Sequence, residues 1–429
     1  MVSLHEHLQA QHGALPGPVR RQPWRGAALA SFAARGFPTR RDELWHYTDL
    51  RTLERERFTF VAEAPSEQTR AAAAAVLAAR GVELDGPRLV FVDGYLDPGL
   101  SRASAADGVE IRPLPDAWGA LVPEGAHPLA TLNAAFAEHG AVVKIAPRAG
   151  VCAPIHFIFV GAGREGVAAQ PRIVVELGPH ASATIVQHFA DAPEAAPGWL
   201  NLVTDVVAAA GAELVLYRLQ EQGAAQFHTS LLRARLARDA RLTAGYVDSG
   251  GKLVRNDVDV TLAEPGAHAE LFGIVLAAGE QHIDNHLRVD HVAPRTTSVE
   301  AFRAIVDDKA HAVFSGKVVV RPGAQKIDAR QSSDNLLLSA KAEADTRPEL
   351  EIYADDVKCS HGATVGELDE AQLFYLRSRG LTEDAARALL TFAFAHVSLE
   401  RIGLAPLREL AVREIARRLP EGIEWERTP

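Results

Sequence analysis

The feature that most constrains the fold is a long series of short β-type runs between about residues 141 and 353. Typical runs are VVKIAP at 142–147, IHFIFV at 155–160 and KVVVRP at 317–322. No segment of ten or more residues with a helical period interrupts the series. A doubly wound parallel sheet needs crossover helices between its strands, so the pattern argues against an α/β fold.

A weak internal repeat runs through the same region, in which a turn of small residues precedes a strand. It appears as GPHASATIV, AAGAELVLY, ARDARLTAGY, EPGAHAELFG and RPGAQKIDA, which begin at residues 178, 209, 237, 264 and 321. The first four copies begin 27 to 31 residues apart. A period of this size built from strands alone predicts a β-solenoid, and an antiparallel sandwich with similar turns is the alternative.

Helical patterns flank this strand-rich region on both sides. We predict four regions along the chain: a helical N-terminal region at 1–86, a mixed connecting segment at 87–140, a solenoid core at 141–368 and a helical C-terminal region at 369–429.

The second C-terminal helix is apolar on nearly every side. Its apolar residues include Leu389, Phe392 and Phe394. A helix of this kind must be buried, either in its own chain or under a partner.

Composition and charge argue against several classes of function. Acidic residues outnumber basic ones by 55 to 45, so the net charge of −10 does not favour nucleic acid. Cys152 and Cys359 are too few for a disulfide framework and suit a reducing compartment. The N-terminus lacks a signal-peptide pattern, and the uncharged stretches are too short to span a membrane. We therefore expect a cytoplasmic protein that binds neither nucleic acid nor membranes.

The sequence supports neither of two nucleotide-binding motifs. GAGREG at 161–166 matches the dinucleotide fingerprint, but the run after it contains Pro171 and predicts a strand. A pyrophosphate site needs a helix N-terminus at that point. The sequence also has no P-loop motif, so any dependence on ATP must come from a partner.

A carbohydrate-active β-solenoid enzyme is the alternative function. Such enzymes use clustered carboxylates, and Asp257/Asp259 and Asp307/Asp308 are candidates by residue type. The low aromatic content, 6%, and the missing export signal count against this alternative.

Three histidines stand close together in QHIDNHLRVDH. On a helix, His282 and His286 would form a metal-binding pair one turn apart. In a strand, His282, Asp284 and His286 share one face and His291 takes the other. The Val and Ile content favours a strand, so we expect polar positions on the outer face of a coil.

The strongest candidate site is DDVKCSHGATVG at 355–366, which we interpret as a polar loop before the first C-terminal helix. Cys359 and His361 are two residues apart, so an extended backbone points both side chains the same way. A thiolate and an imidazole both suit iron, yet two ligands do not complete a four-ligand site. A metal role would need groups from a second chain. The alternative is an ordinary loop cysteine and a hydrogen-bonded histidine.

These motifs resemble a known family. Residues 321–381, which contain the candidate loop, strongly resemble the C-terminal signature of SufD-type proteins in the SufB/SufD family of iron–sulfur cluster assembly. GFPTRRDELWHYTDL at 36–50 resembles the opening motif of the family, and HIDNHLRVDHVAPRTTS at 282–298 resembles its mid-core motif. The resemblance implies a right-handed parallel β-helix between two helical regions, and a scaffold subunit that is not itself an enzyme.

The resemblance also implies partners. A SufB-type paralogue would pair through the β-helix ends, and a SufC-type ABC ATPase would dock on the C-terminal helices. The isolated chain would carry no cofactor, and an iron–sulfur cluster would be present transiently in the assembled complex. Open strand edges at the end of a solenoid also allow the isolated chain to form a homodimer.

Individual residues follow from the same resemblance. Ser333 stands where SufB-type chains carry a cysteine, which favours the SufD type. His361 matches a family histidine at the paralogue interface that is implicated in cluster formation, and it is a candidate metal ligand. Cys359 matches a neighbouring family cysteine. We expect the apolar helix, with Leu389, Phe392 and Phe394, to help form the ATPase-docking surface.

Overall fold

The computed structural model describes residues 4–20, 22–60, 63–80, 84–102, 107–114 and 127–419. The helices before the solenoid are α1 (Leu4–Ala14), α2 (Gly17–Arg20), α3 (Pro23–Arg35), the 3-10 helix η1 (Glu43–Trp45), α4 (Arg51–Arg55) and α5 (Glu67–Arg80). Helix α6 (Pro128–Phe136) lies between two strands of the first coils, and the C-terminal helices are α7 (Glu370–Ser378), α8 (Glu383–Leu399) and α9 (Ala405–Ala416). No helix within these described ranges is both long and apolar enough to cross a membrane.

The strands form two long sheets that run side by side. Sheet 1 contains, in spatial order, β2 (Tyr95–Leu96), β1 (Arg88–Val92), β5 (Ile155–Gly161), β8 (Ser182–Asp191), β10 (Glu213–Gln220), β12 (Arg241–Asp248), β14 (His268–Ala277), β16 (Thr297–Val306), β18 (Ile327–Leu337) and β20 (Val357–Gly366). Sheet 2 contains β3 (Val109–Pro113), β4 (Gly140–Ile145), β7 (Arg172–Leu177), β9 (Trp199–Ala208), β11 (Phe227–Leu236), β13 (Leu253–Leu262), β15 (His282–His291), β17 (His311–Val320) and β19 (Glu343–Ile352). The short β6 (Ala168–Ala169) pairs with β9.

The chain alternates between the two sheets from β8 onwards, and each strand pairs in parallel with the next strand of its own sheet. This arrangement confirms the predicted β-solenoid between helical regions. The antiparallel sandwich is wrong, because the only antiparallel pairs among the described strands are β1 with β2 and β3 with β4, at the first coils. The predicted boundary of the core at residue 141 stays a prediction, although β1 already pairs with β5.

The sequence repeat corresponds to one corner of successive coils. An inward-facing alanine fills this corner without measurable exposure in the first four copies, at Ala181, Ala212, Ala240 and Ala267. The residue before the alanine has a positive φ, for example 68° at Gly211, whose N–H donates to the carbonyl of Arg238 in the next coil. The small side chain therefore fits a tight corner, and the turns stack as the strands do.

The opening motif at 36–50 and the mid-core motif at 282–298 meet on the outer face of sheet 2, around the buried Arg255. Its guanidinium binds the carboxylates of Asp257, at 2.7 Å, and Asp284, at 2.5 Å, and lies 3.8 Å from the ring centroid of Trp45. The Thr48 hydroxyl donates to Asp284 at 2.5 Å. Segment 36–50 is thus fastened to β13 and β15 by a desolvated network of charges and aromatic contact.

This network explains the histidine cluster. His282, Asp284 and His286 share the outer face of β15, as predicted, and His291 points inside, where it bonds Thr296 and Ser298. The outer face is not in solvent, however: the Thr48 hydroxyl lies 3.0 Å from His282 Nε2. His282 therefore takes part in packing the N-terminal segment.

Removing the cation of this network should destabilise the fold strongly. Burial alone would raise the pKa of Asp257, but Arg255, together with His127, lowers it far below its usual value. Arg255→Met leaves two buried carboxylates without their partner, so we expect the free energy of unfolding to fall by about 3–5 kcal/mol. Urea denaturation followed by tryptophan fluorescence measures this loss.

Arg51→Met is the matched control, because Arg51 pairs with Asp49 on the surface. We expect that change to leave the free energy of unfolding nearly unchanged, because solvent screens the exposed pair. Equal and small losses in both variants would contradict a role of Arg255 in holding the N-terminal segment.

Candidate functional site

The solenoid ends in an uncovered coil. Strands β19 and β20 form the C-terminal edges of sheets 2 and 1, and no described strand pairs with their outer sides. None of their residues is buried, whereas most residues of the preceding strands β17 and β18 are buried. Exposed apolar residues on this coil include Ile352, Tyr353 and Val365. Such an edge presents unpaired backbone groups to another chain.

The predicted polar loop at 355–366 is wrong, because most of it is strand β20. Cys359 pairs with Ala329 of β18, and His361 pairs with Gln331. No further described coil packs against this terminal strand. Its sequence therefore does not need to alternate apolar and polar residues. Its backbone is held by β18 and does not depend on its side chains for pairing.

Cys359 and His361 point to the same side of the strand. Their partners Ala329 and Gln331 are buried and face the solenoid interior, so both side chains continue interior columns onto the last coil. Cys359 is half-buried beside an apolar cluster that includes Val318 and Ile327. His361 is exposed at the open end.

The two side chains do not form a closed metal site. Within the part of the chain that the structure describes, no group of three or more His, Cys, Asp or Glu residues could hold a metal ion. Burial, with a smaller contribution from Asp328, raises the pKa of the Cys359 thiol, so at neutral pH it is the neutral thiol. This terminal coil can therefore supply one imidazole and, once the thiol is deprotonated, one thiolate as metal ligands. A complete site would need further ligands from another chain.

Sequence reasoning missed two residues behind His361. Gln331 Nε2 donates to Glu300 Oε2 at 2.5 Å, and both side chains are buried. Burial raises the pKa of Glu300 to about 7, although the hydrogen bond from Gln331 opposes this. The available signal was an acidic residue in phase with the inward-facing Phe302 and Val306 of β16.

The apolar helix α8 lies on its own chain. Phe392 is 8% exposed and belongs to a cluster with Phe272 and Ile274 on the outer face of sheet 1. Phe392 is therefore the member of the Phe392/Phe394 pair that packs on its own chain, because an apolar sheet face covers it, and its docking role stays a prediction. Phe394 is half-buried, with the Arg303 guanidinium 4.7 Å from its ring centroid, and Leu389 is half-buried as well. A docking role for these two residues stays a prediction.

Among the described C-terminal helices, the strongly exposed aromatic residues lie instead on α7. Phe374 is 74% exposed and Tyr375 is 56% exposed, while Leu373 is the buried residue of this helix. Helix α7 begins four residues after β20 ends, and it contacts α8. Exposed aromatic pairs of this kind are typical of protein interaction surfaces.

The structure gives no support to the enzymatic alternatives. Asp257 is held by Arg255, and Asp307 and Asp308 lie in an exposed turn. GAGREG connects β5 to β6, and no helix follows it directly. The glycine motif lines a cavity of about 40 Å³, which is too small for a dinucleotide.

Comparisons with known proteins agree with this architecture. A family model described as the SufBD core domain of SUF-system FeS cluster assembly matches residues 159–394. The iron–sulfur cluster assembly protein SufD of Escherichia coli is 32% identical over 409 residues, which cover 94% of each chain. A SufBD family protein of Synechocystis is 33% identical, over 86% of this chain and 85% of its own length. SufD of Bacillus subtilis is 26% identical, over 70% of this chain and 66% of its own length.

The fold and its open end define a parallel β-solenoid protein with helices docked at both termini. The chain belongs to the SufBD family of iron–sulfur cluster assembly proteins.

The buried Glu300 gives a testable pH dependence. Its pKa rises from 4.5 to about 7 on folding, so the folded chain binds more protons than the unfolded chain between these values. The free energy of unfolding therefore falls as pH rises through this window, by up to about 3 kcal/mol. Glu300→Gln should remove this fall, so that the variant gains stability relative to the unmodified chain at pH 8 but not at pH 4.5.

Thermal unfolding of both proteins across this pH range measures the difference. Glu213→Gln, which removes an exposed carboxylate from β10, is the control. Parallel pH profiles for the unmodified chain and Glu300→Gln would show that Glu300 is ionised in the folded protein and would contradict the assignment.

Proposed function

We propose that this chain is a SufD-like scaffold subunit that supports iron–sulfur cluster assembly and transfer. It works with a SufB-type paralogue and a SufC-type ABC ATPase, and it does not itself catalyse a reaction. The observation that carries the proposal is the uncovered terminal coil, which places Cys359 and His361 at an open strand edge. Membership of the SufBD family supports the same assignment.

The terminal coil suits a partner with the same fold. Both sheets end together at β19 and β20, so another solenoid end can continue both of them at once. Apolar side chains such as Ile352 and Val365 would be covered by the next coil. A SufB-type paralogue fits this requirement, and a second copy of the chain would be its substitute in a homodimer of the isolated protein.

The cluster would be cargo of the assembled complex. His361 and Cys359 supply too few ligands alone, so the partner must contribute the remaining ones. An imidazole and a thiol of raised pKa make a weak anchor for iron, which suits a scaffold that must release its product. The isolated chain is then expected to hold no cluster.

The ATPase would dock on the C-terminal helices. The sequence has no P-loop motif, so we assign ATP hydrolysis to the partner. Phe374 and Tyr375 on α7, with Val397 on α8, are the exposed apolar residues of these helices. Because α7 follows β20 directly, movement of the docked ATPase would act on the coil that carries His361. A cytoplasmic location stays a prediction from cysteine use.

His361→Ala tests the cluster-forming role. We expect normal folding and normal association with both partners, but cluster formation reduced at least tenfold, because an interface ligand is lost. Cys359→Ser should reduce it less, since the thiol is protonated at rest. Iron and sulfide analysis of the anaerobically reconstituted complex, with transfer to an apo-protein, measures both effects.

The control for these variants is Cys152→Ser, at an exposed cysteine outside the terminal coil. It should leave cluster content unchanged. A complex carrying His361→Ala that builds and transfers clusters at the normal rate would make His361 an ordinary surface histidine.

Phe374→Asp tests the docking surface. A charge in place of the most exposed aromatic residue of α7 should weaken ATPase binding by tenfold or more, as truncation of a buried interface aromatic usually does. Calorimetric titration of the purified chain with the ATPase measures the dissociation constant.

Two comparisons make this result specific. Val292→Asp changes an exposed apolar residue in the turn after β15 and should leave binding unchanged. Phe392→Asp should unfold the C-terminal helices, because Phe392 is core. Normal ATPase affinity of Phe374→Asp would remove α7 from the docking surface.

A further inference from the structure

One interior column of sheet 1 changes from apolar to polar toward the open end. In-register pairing connects the same position in six successive coils, which is occupied in order by Leu216, Ala244, Leu271, Glu300, Gln331 and His361. The first three side chains are buried and apolar. The last three are polar, and they lead from the buried core to the uncovered coil.

The two buried members of this polar column are fixed by their surroundings. Gln331 Nε2 donates to Glu300 Oε2 at 2.5 Å, which sets the direction of the amide. On the facing strand β17, Gly316 leaves room for the same amide, since a Cβ at that position would clash with Gln331 Nε2. The amide therefore has one hydrogen bond toward the core and a defined position behind the terminal coil.

The other end of the amide has no partner. Gln331 Oε1 is buried, and among the described residues nothing donates a hydrogen bond to it. A buried carbonyl without a donor is destabilising, so a donor is expected to reach it. His361 occupies the next position in the column, on a strand about 4.8 Å away, and its imidazole carries an N–H.

We propose that Glu300 and Gln331 are positioning residues for His361. On rotation of the His361 side chain, its imidazole N–H donates to Gln331 Oε1, and Glu300 holds Gln331 in the orientation that permits this. One ring nitrogen then carries the proton, and the other presents its lone pair toward the open end. A histidine ligand behaves in this way when a second group fixes its tautomer. This inference rests on the proposed function of His361 and explains how the chain prepares that side chain.

The test reads the tautomer of His361 in the full chain, without partners. The chain is labelled with ¹⁵N-histidine, and the His361 signals are assigned by their loss in His361→Ala. Two-bond ¹H–¹⁵N correlations then give the ratio of the two neutral tautomers. We expect one tautomer to dominate in the unmodified chain.

Gln331→Leu keeps the volume of the side chain but cannot accept the hydrogen bond. It should change the tautomer ratio of His361 by about fivefold, the factor that one ordinary hydrogen bond is worth. Gln331→Met fits the same space and serves if the leucine variant does not fold. Glu300→Leu should have a similar effect, whereas Glu300→Gln, which can still accept from Gln331, should preserve the ratio.

Gln187→Leu is the matched control. Gln187 is also a buried glutamine of sheet 1, and it donates to Thr204, far along the solenoid from His361. Its replacement should leave the His361 signals unchanged.

A tautomer ratio of His361 that is the same in folded Gln331→Leu or Gln331→Met as in the unmodified chain would overturn the proposal. The outcome is separate from that of the proposed function. If Gln331→Leu shifts the tautomer while His361→Ala still assembles clusters normally, the column positions a histidine that has no part in assembly.

Discussion

Backbone hydrogen bonding between successive coils is the constraint on which the rest of this molecule depends. Each strand of the solenoid satisfies its N–H and C=O groups by pairing in register with the coil before it and the coil after it. At the first coils, β2 pairs antiparallel with β1, and β3 pairs antiparallel with β4. At the other end, no described strand follows β19 and β20. The register that builds the core therefore leaves the outer edges of these two strands without a described partner strand.

Segments of the chain itself cover parts of both outer faces of the solenoid. Sheet 2 is covered in part by segment 36–50, which Arg255 and Asp284 fasten. Sheet 1 is covered by α8 and α9, through Phe392 and its neighbours. Because the chain covers parts of both faces itself, we propose that a partner of the same fold adds to the terminal coil and that an ATPase docks on the exposed side of α7.

Part of this could be predicted from the sequence, and the limits have physical causes. The repeat predicts the solenoid because each tight corner admits only a small side chain, such as Ala212. Strand β20 was predicted as a loop because an uncovered strand needs no apolar alternation. The pattern of α8 showed that Phe392 is buried but not which surface buries it. Glu300, Gln331 and His361 are about thirty residues apart in sequence, so only the exact register aligns them. From the residues alone, the role of His361 remained open, and the family resemblance selected it.

We propose that a SufB-type paralogue continues the solenoid at its open end. Hydrogen–deuterium exchange of the full chain, alone and with the paralogue bound, tests this directly. Edge amides of β19 and β20 exchange freely in an uncovered coil and become protected when a further coil pairs with them. We expect strong protection confined to these two strands on binding. Unchanged exchange in β19 and β20, with protection elsewhere on the chain, would contradict it.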